Sequence, residues 1–321
     1  MLNLTRRAAI GAALLPAAAR AQGFPDRPVR MLIGFPPGGV TDITGRVTAE
    51  GTARSLGQPV VVENRPGAAG NIAAQQIARA APDGYQILLT TNASHGANPT
   101  LYASPGYDAV RDFTPIALLA TVTNVLVVHT SVPARTVQEL IALSKRQPGT
   151  LNFASASTGA AGHLVGEMFK ARTGADITHV PYRGAAPAQA DVLAGRVQMM
   201  FGTLQTVLEP VRARQLRALA VTSQARMPEL PDVPTLAETV LPGFTADAWF
   251  ALVGPARMPV LVVERLQQAA RAALQDATLA ERLTRQGVVI DLTGPQDLGR
   301  FIEAELAKWG EAVRLSGARE D

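Results

Sequence analysis

Residues 29–42 read VRMLIGFPPGGVTD, and this stretch decides the fold. The apolar run at 29–35 predicts a buried strand, and the pattern at 42–56 predicts a helix. Between them, Gly38 and Gly39 can adopt positive φ and let a ligand approach bare backbone. A strand, a glycine-rich turn and a helix in this order indicate an α/β protein, which we expect to have mostly parallel sheets.

The alternation of strands and helices continues along the chain in two series. Further strands are predicted at 60–63, 85–91, 125–129, 151–154, 177–180, 197–201, 216–221, 248–253 and 288–292. Further helices are predicted at 70–80, 136–146, 161–173, 185–194, 260–286 and 295–313. Residues 226–243 contain four prolines and predict a long connection without a helix.

The length of the chain predicts two α/β lobes with a ligand cleft between them. A single core stops growing at roughly 250 to 300 residues, and residues 22–321 reach the upper end of this range. We assign residues 22–123 together with 248–321 to lobe 1 and residues 124–247 to lobe 2. The chain would cross between the lobes twice, with hinges near residues 123–124 and 246–248. Ligand loops are expected at the carboxyl ends of the strands.

The first 21 residues have the pattern of a signal peptide. Arg6 and Arg7 precede an apolar run at 8–15, and residues 19–21 form an A-x-A cleavage site. Such a signal would direct the protein to the periplasm, where cleavage near Ala21 would release the mature chain. The apolar run is too short to span a membrane. The adjacent arginines fit either a Sec or a twin-arginine signal, so the export route stays open.

Composition excludes several classes of protein. The sequence has no cysteine, so it has neither a disulfide nor a thiolate metal site. The formal charge is +4, from 30 basic and 26 acidic residues, and three of the basic residues lie in 1–21, which contains no acid. The mature chain is therefore nearly neutral, and we expect no nucleic-acid partner.

The loop from Phe35 to Asp42 is a candidate anion site. Gly38 and Gly39 expose backbone, and Thr41 or Asp42 can cap a helix whose first N–H groups attract an anion. The loop has neither the lysine of a Walker loop nor the spacing of a dinucleotide fingerprint. A tight turn with Asp42 acting only as a cap is the structural alternative.

Three other loops offer polar groups. Residues 90–95 place the hydroxyl and amide groups of Thr91, Asn92 and Ser94 at a strand end. Residues 154–164 place Ser155, Thr158 and Gly159 before a helix, as a counterpart of the first loop from the other lobe. Residues 180–185 contain Tyr182 and Arg183. The Arg183 guanidinium matches a carboxylate, and a surface salt bridge is an equal alternative. The loop at 64–71 can form a second wall of the cleft.

Catalytic and metal-binding alternatives find little support. No G-x-S-x-G elbow occurs in the sequence, which disfavours a serine hydrolase. His163 and Glu167 lie one helical turn apart and could share a metal, but the spacing indicates no third ligand. Trp249 can pack between the lobes or form the floor of the cleft, and packing is the expected role. We therefore predict no catalytic residue, no metal and no cofactor.

Taken together, these motifs resemble the tripartite tricarboxylate transporter receptor family, also called the Bug family of solute receptors. The matching stretches are Phe24-Pro25 with residues 27–30, 35–39 with Asp42, 64–71, Asn98-Pro99 with Leu101-Tyr102, 162–164, and 181–184 with Asp191. Each motif is weak by itself, and their order and spacing carry the resemblance over essentially the whole mature chain.

The resemblance implies a periplasmic-binding-protein fold that closes on a small mono-, di- or tricarboxylate. It implies a non-catalytic receptor that delivers this ligand to a transporter with a large and a small integral membrane subunit. The ligand loops would be residues 35–42, 91–94 and 155–159 and the region of Tyr182 and Arg183. We expect a monomer, as is usual for a protein that opens and closes. A ligand-sensing receptor for a signalling system and a secreted hydrolase or lyase are the alternatives.

Overall fold

The computed structural model describes residues 23–320, and the predicted signal peptide at residues 1–21 lies outside them. The strands are β1 (Val29–Ile33), β2 (Val60–Asn64), β3 (Gln86–Thr91), β4 (Phe113–Val122), β5 (Asn124–His129), β6 (Asn152–Ser155), β7 (Thr178–Pro181), β8 (Met199–Thr203), β9 (Leu216–Val221), β10 (Ala248–Pro255) and β11 (Val288–Ile290). They form two sheets, and each sheet with its helices is a lobe.

The helices cover both sheets. They are α1 (Val40–Leu56), α2 (Asn71–Ala78), α3 (Asn98–Leu101), α4 (Val137–Arg146), α5 (Ala161–Thr173), α6 (Ala185–Leu193), α7 (Leu204–Arg212), α8 (Leu236–Thr239), α9 (Val260–Gln275), α10 (Ala277–Thr284) and α11 (Pro295–Ser316). Within residues 23–320, the search for a helix long and apolar enough to cross a bilayer found none.

The first lobe has a six-stranded sheet in the order β11-β4-β10-β3-β1-β2. The side chains of Met31 and Ile33 pack under α1 and α9 on one face, whereas Leu32 packs under α2 and α11 on the other. Burial on both faces explains why residues 31–33 are apolar without alternation, whereas Arg30 is exposed. Helices α1 and α9 touch at Gly51, where a Cβ would lie 2.4 Å from the Cβ of Ala273.

The second lobe has a five-stranded sheet in the order β7-β6-β8-β5-β9. Four of its helices, α4 to α7, alternate with its strands. Side-chain caps fix two helix starts. Thr136 accepts a hydrogen bond from the Glu139 N–H at the start of α4, and Thr235 forms a capping box with Glu238 at the start of α8.

The two-lobed α/β fold is confirmed, but the expectation of mostly parallel sheets is wrong. β1 pairs in parallel with β2 and β3, and β6 with β7 and β8, whereas the five pairs that involve β4, β5, β9, β10 or β11 are antiparallel. The crossings explain this. β10 enters the first sheet beside Thr91, at the carboxyl end of β3, and must therefore run backwards along it.

Some elements differ from the sequence prediction. Strand β4 was not predicted, because Pro115 interrupts its pattern and prolines are disfavoured inside a sheet. The predicted helix 260–286 is divided at Asp276, which has an extended backbone and caps α10 through the Leu279 N–H. A π-helical turn at Ala93–Ala97, α3, α7 and α8 were also missed.

Helix α11 contacts both lobes. Its first half packs against the first sheet through Leu298 and Ile302. Its second half places Trp309 and Val313 in a core cluster that joins second-lobe residues to Ala97 and Leu101 of the first lobe. At the middle of the helix, a carboxylate oxygen of Glu305 accepts hydrogen bonds from Nε1 of Trp249 (2.8 Å) and of Trp309 (2.7 Å). The lobes are therefore joined by packing as well as by the two chain crossings.

Candidate functional site

A cavity of about 650 Å³ lies between the two lobes. The first lobe contributes residues 34–36, 40–41, 66–69 and 91–93 to its walls, and the second lobe contributes residues 157–161. Most of these residues follow strands β1, β2, β3 and β6. The cavity is therefore at the carboxyl ends of the parallel strands, where the sequence predicts the ligand loops.

Two helices begin at this cavity, one from each lobe. Val40 and Thr41 are the first residues of α1, and Ala160 and Ala161 stand at the start of α5. The N–H groups in the first turn of a helix have no partner within the helix, and the helix dipole adds partial positive charge there. Both lobes thus present backbone donors suited to one anionic group.

Asp42 is buried behind the first loop. Its carboxylate accepts hydrogen bonds from the Gly38 N–H (2.9 Å), Nε of Arg46 (2.9 Å) and Nδ2 of Asn64 (2.8 Å). Burial acts to raise the pKa of Asp42, but these hydrogen bonds and the Arg46 charge outweigh it and lower the pKa below its usual value. Asp42 therefore stays ionised and fixes the loop rather than facing the cavity.

The segment after β3 has polar groups on both sides. Thr91 and Asn92 line the cavity, whereas Ser94 and His95 point into the first lobe. Thr90 Oγ1 lies 2.8 Å from Ser94 Oγ and 2.6 Å from Nδ1 of His95. Burial lowers the pKa of His95 to about 3, so its ring is neutral at physiological pH.

Two stacked histidines support the second-lobe loop. The rings of His163 and His179 are 3.8 Å apart, and Nδ1 of His163 accepts a hydrogen bond from the Gly159 N–H (3.0 Å). Burial, together with the His179 charge, lowers the pKa of His163 to about 4. Gly159 has φ +75°, and a Cβ there would lie 2.6 Å from Cδ2 of Leu101. Glycine is therefore required at this point of the cavity wall.

Ser155 and His179 are hydrogen-bonded at 2.6 Å, but they do not form a nucleophile and base at the cavity. Ser155 is buried, and its hydroxyl also donates to the Ser157 carbonyl (2.8 Å). Burial lowers the pKa of His179 to about 4, which makes it a weak base at neutral pH. Their role is to hold the loop that carries Thr158 and Gly159.

The structure brings six of the predicted ligand-binding residues to the cavity. These are Phe35, Thr41, Thr91, Asn92, Thr158 and Gly159. Seven others lie outside its lining: Gly38, Gly39, Asp42, Ser94, Ser155, Tyr182 and Arg183. Tyr182 Oη donates to Asp191 (2.7 Å), and the next residue, Arg183, is exposed. Sequence alone could not give the direction of these side chains.

Sequence reasoning missed four of the larger side chains of the cavity wall. Leu101, Tyr102, Phe250 and Glu320 line it, although none was named as a ligand contact. Leu101 and Tyr102 belong to a motif that carries the family resemblance, so a signal was present for them. Glu320 comes from the segment after α11, where no local motif indicates a ligand contact. Trp249 is buried and packs against Phe301, as expected for a core residue.

No potential metal cluster occurs in the described residues 23–320, where no group of three or more histidine, aspartate and glutamate side chains is arranged to hold an ion. Glu167, whose sequence spacing from His163 allowed a shared metal, instead pairs with Lys170, whose Nζ lies 3.7 Å from its carboxylate. Its buried carboxyl has a raised pKa because of desolvation.

Two α/β lobes with a cavity between them and two chain crossings define a solute-binding protein of the periplasmic type. The family model described as "Tripartite tricarboxylate transporter family receptor" matches residues 44–317. The chain therefore belongs to this family. The resemblance inferred from sequence is confirmed. This family consists of extracytoplasmic solute-binding receptors and not of enzymes.

Relatives match over almost the full length. "Protein BugT" of Bordetella pertussis (strain Tohama I) is 37% identical over 99% of this chain and 99% of its own. A structure of R. palustris Rpa4515 with adipate is 35% identical with a TM-score of 0.78, covering 92% of this chain and 99% of the other. MatC (Rpa3494) from Rhodopseudomonas palustris with bound malate is 31% identical with a TM-score of 0.75, covering 90% and 100%.

Proposed function

We propose that this protein is a periplasmic receptor that captures a small carboxylate in the interlobe cavity and delivers it to a tripartite tricarboxylate-type transporter. One observation carries the proposal: the first turns of α1 and α5 face the same cavity from opposite lobes. Such donors bind an anion without a nearby lysine or arginine. The carboxylates in the titles of two related structures, adipate and malate, support the same ligand class.

The ligand contacts divide into two groups. We propose that Thr41 and the backbone N–H groups of α1 hold the carboxylate from the first lobe, with Thr158 and Gly159 completing the site from the second. Asn92 and Thr91 offer further polar groups, and Phe35 an apolar surface. Asp42, Ser94 and Ser155 would act from behind by fixing the three loops. Contact of the ligand with Gly38, Gly39, Tyr182 or Arg183 stays a prediction from sequence.

Ligand binding would close the two lobes, which we propose to be residues 22–123 with 248–321 and residues 124–247. The crossings are hydrogen-bonded to one another. Asn124 Nδ2 donates to the Ala246 carbonyl (3.0 Å), and Asp247 accepts from Thr222 Oγ1 (2.7 Å) and Thr123 Oγ1 (3.3 Å). The lobes would rotate about these two hydrogen-bonded crossings. A ligand that contacts both lobes would favour the closed form because it binds that form more tightly than the open one.

The remaining parts of the proposal concern the cell. The receptor would be exported by a signal peptide cleaved near Ala21, through the Sec or the twin-arginine route. It would act as a monomer. Its partners would be the large and small integral membrane subunits of the transporter, which would recognise the closed form.

The first experiment is a thermal-shift screen of the mature protein, from Gln22, against mono-, di- and tricarboxylates, amino acids and aromatic acids. We expect saturable stabilisation of roughly 2.7 kcal/mol at about 100 times the dissociation constant. Mass spectrometry should recover the ligand unchanged. Stabilisation by no acid would refute the carboxylate assignment, and recovery of a reaction product would refute the receptor assignment.

Variants then locate the site. Thr158→Val keeps the shape of a cavity-lining side chain and removes its hydroxyl, so the affinity for the acid should fall. Thr178→Val is the matched control, because Thr178 is exposed on β7 and is not part of the cavity wall. Small-angle X-ray scattering should show a smaller radius of gyration with ligand. An unchanged radius with a bound ligand would refute closure.

A further inference from the structure

The charge of the cavity wall restricts the ligand further than the carboxylate class. Among the described residues that line the cavity, Glu320 is the one charged side chain, and no lysine, arginine or histidine is present. Away from the two helix starts, much of the wall is apolar. The apolar surface there comes from Phe35, Leu101, the ring of Tyr102 and Phe250, together with alanines. Thr91 and Asn92 add neutral polar groups.

Glu320 is held in place beside the cavity. Its N–H donates to the Leu101 carbonyl (2.9 Å), and its carbonyl accepts from the Ala103 N–H (3.3 Å), so that it pairs with the backbone on both sides of Tyr102. Burial and the nearby Glu320 carboxylate both raise the pKa of Tyr102. The negative charge is therefore close to the phenol that lines the cavity.

A second carboxylate on the ligand would find no cation in this wall. The first carboxylate has the backbone donors of α1 and α5. A second carboxylate would meet apolar side chains, the neutral groups of Thr91 and Asn92, or Glu320. An anion next to a like charge is disfavoured, and repulsive elements of this kind are a common source of specificity.

We propose that the receptor selects a monocarboxylate with an apolar body, and that Glu320 excludes dicarboxylates. The inference rests on the proposed carboxylate function and narrows its ligand class. It sets this chain apart from the relatives whose structures hold adipate and malate, because both of these acids carry two carboxylates. Since Glu320 is exposed, solvent screens the repulsion and the discrimination will depend on salt.

The test compares acids that differ only in the second carboxylate: hexanoate with adipate, and benzoate with terephthalate. Dissociation constants are measured by calorimetry with the mature protein at low ionic strength and in about 0.5 M salt. We expect the monocarboxylate of at least one pair to bind at least about tenfold more tightly at low salt, with a smaller ratio in high salt.

Two charge-neutralising variants locate the effect. Glu320→Gln should lower the ratio by improving dicarboxylate binding, while the apolar wall keeps some preference for the monocarboxylate. Glu311→Gln removes the same charge from an exposed position of α11 outside the cavity wall and should leave the ratio unchanged. If Glu320→Gln does not fold, the salt dependence of the unmodified protein tests the same repulsion.

The outcomes separate this inference from the proposed function. If a dicarboxylate binds as tightly as its matched monocarboxylate or more tightly, the monocarboxylate inference is wrong and the carboxylate receptor stands. A ratio that is identical in Glu320→Gln, or insensitive to salt, would refute the role of Glu320. If none of the acids in the broader panel binds, the proposed function fails, and this inference fails with it.

Discussion

His95 makes the stability of this protein sensitive to acid. The side chain is fully buried against Tyr107 and Phe113, in the segment that forms one wall of the cavity. Burial lowers its pKa from an ordinary 6.5 to about 3. Below pH 6.5 the unfolded chain therefore binds a proton that the folded protein does not, and the free energy of unfolding falls until the pH reaches about 3.

The loss can be estimated from this difference in pKa. Each pH unit in this window costs about 1.4 kcal/mol per histidine. At pH 6.5 the unfolded histidine is only half protonated, so between pH 6.5 and 4.5 His95 should remove about 2 kcal/mol from the free energy of unfolding. His163 and His179, whose pKa values are lowered to about 4, act in the same direction and add to the total.

The variant His95→Asn isolates one residue from this total. Asparagine does not titrate and can still accept a hydrogen bond from Thr90 Oγ1. Urea unfolding at pH 6.5 and pH 4.5 should show that the unmodified protein loses about 2 kcal/mol more than the variant between the two values. The His95 ring resonances should also stay in the neutral form over this range. Equal losses in the two proteins, or a ring that titrates near pH 6, would refute the reasoning.

Three further substitutions test the site and its support. Gly159→Ala places a Cβ 2.6 Å from Leu101 at positive φ. Calorimetry should therefore show weaker ligand binding, and urea unfolding should show that the free energy of unfolding falls by about 1 kcal/mol or more. Unchanged affinity would contradict the role of this loop. Asp42→Asn weakens the charge-assisted bonds from Arg46 and should lower affinity by loosening the loop, whereas an affinity equal to that of the unmodified protein would mean that the Asp42 charge does not position the loop for the ligand. Thr235→Ala removes a capping box and should cost about 1 kcal/mol without changing affinity.

The sequence was sufficient for the architecture where the apolar pattern is local. The run at 29–35 and the glycines after it predicted β1, the loop and α1 because burial on both faces and a helix start leave direct signatures. Strand β4 escaped because Pro115 lies within it. The direction of β10 depends on the side from which the chain enters the sheet, and this is a property of the whole fold.

The candidate site was predictable in its backbone and less so in its side chains. The glycine- and hydroxyl-rich loops identified the two helix starts that face the cavity, since only a few residue types suit such turns. The same loops also contain Ser155 and Asp42, which hydrogen-bond within the protein. Residue type alone cannot distinguish a group that contacts a ligand from one that supports the loop. Glu320 reaches the cavity from far along the chain, so no local pattern could have indicated it.

Helix α11 has a mechanical consequence for a protein of this design. Two chain crossings by themselves form a flexible hinge, about which one lobe can both bend and twist relative to the other. A long helix that packs on the first lobe through Leu298 and Ile302, and on both lobes through Trp309, resists twisting of one lobe against the other. We expect the lobes to swing in a single plane, so that each cycle of capture and release returns the same faces to register.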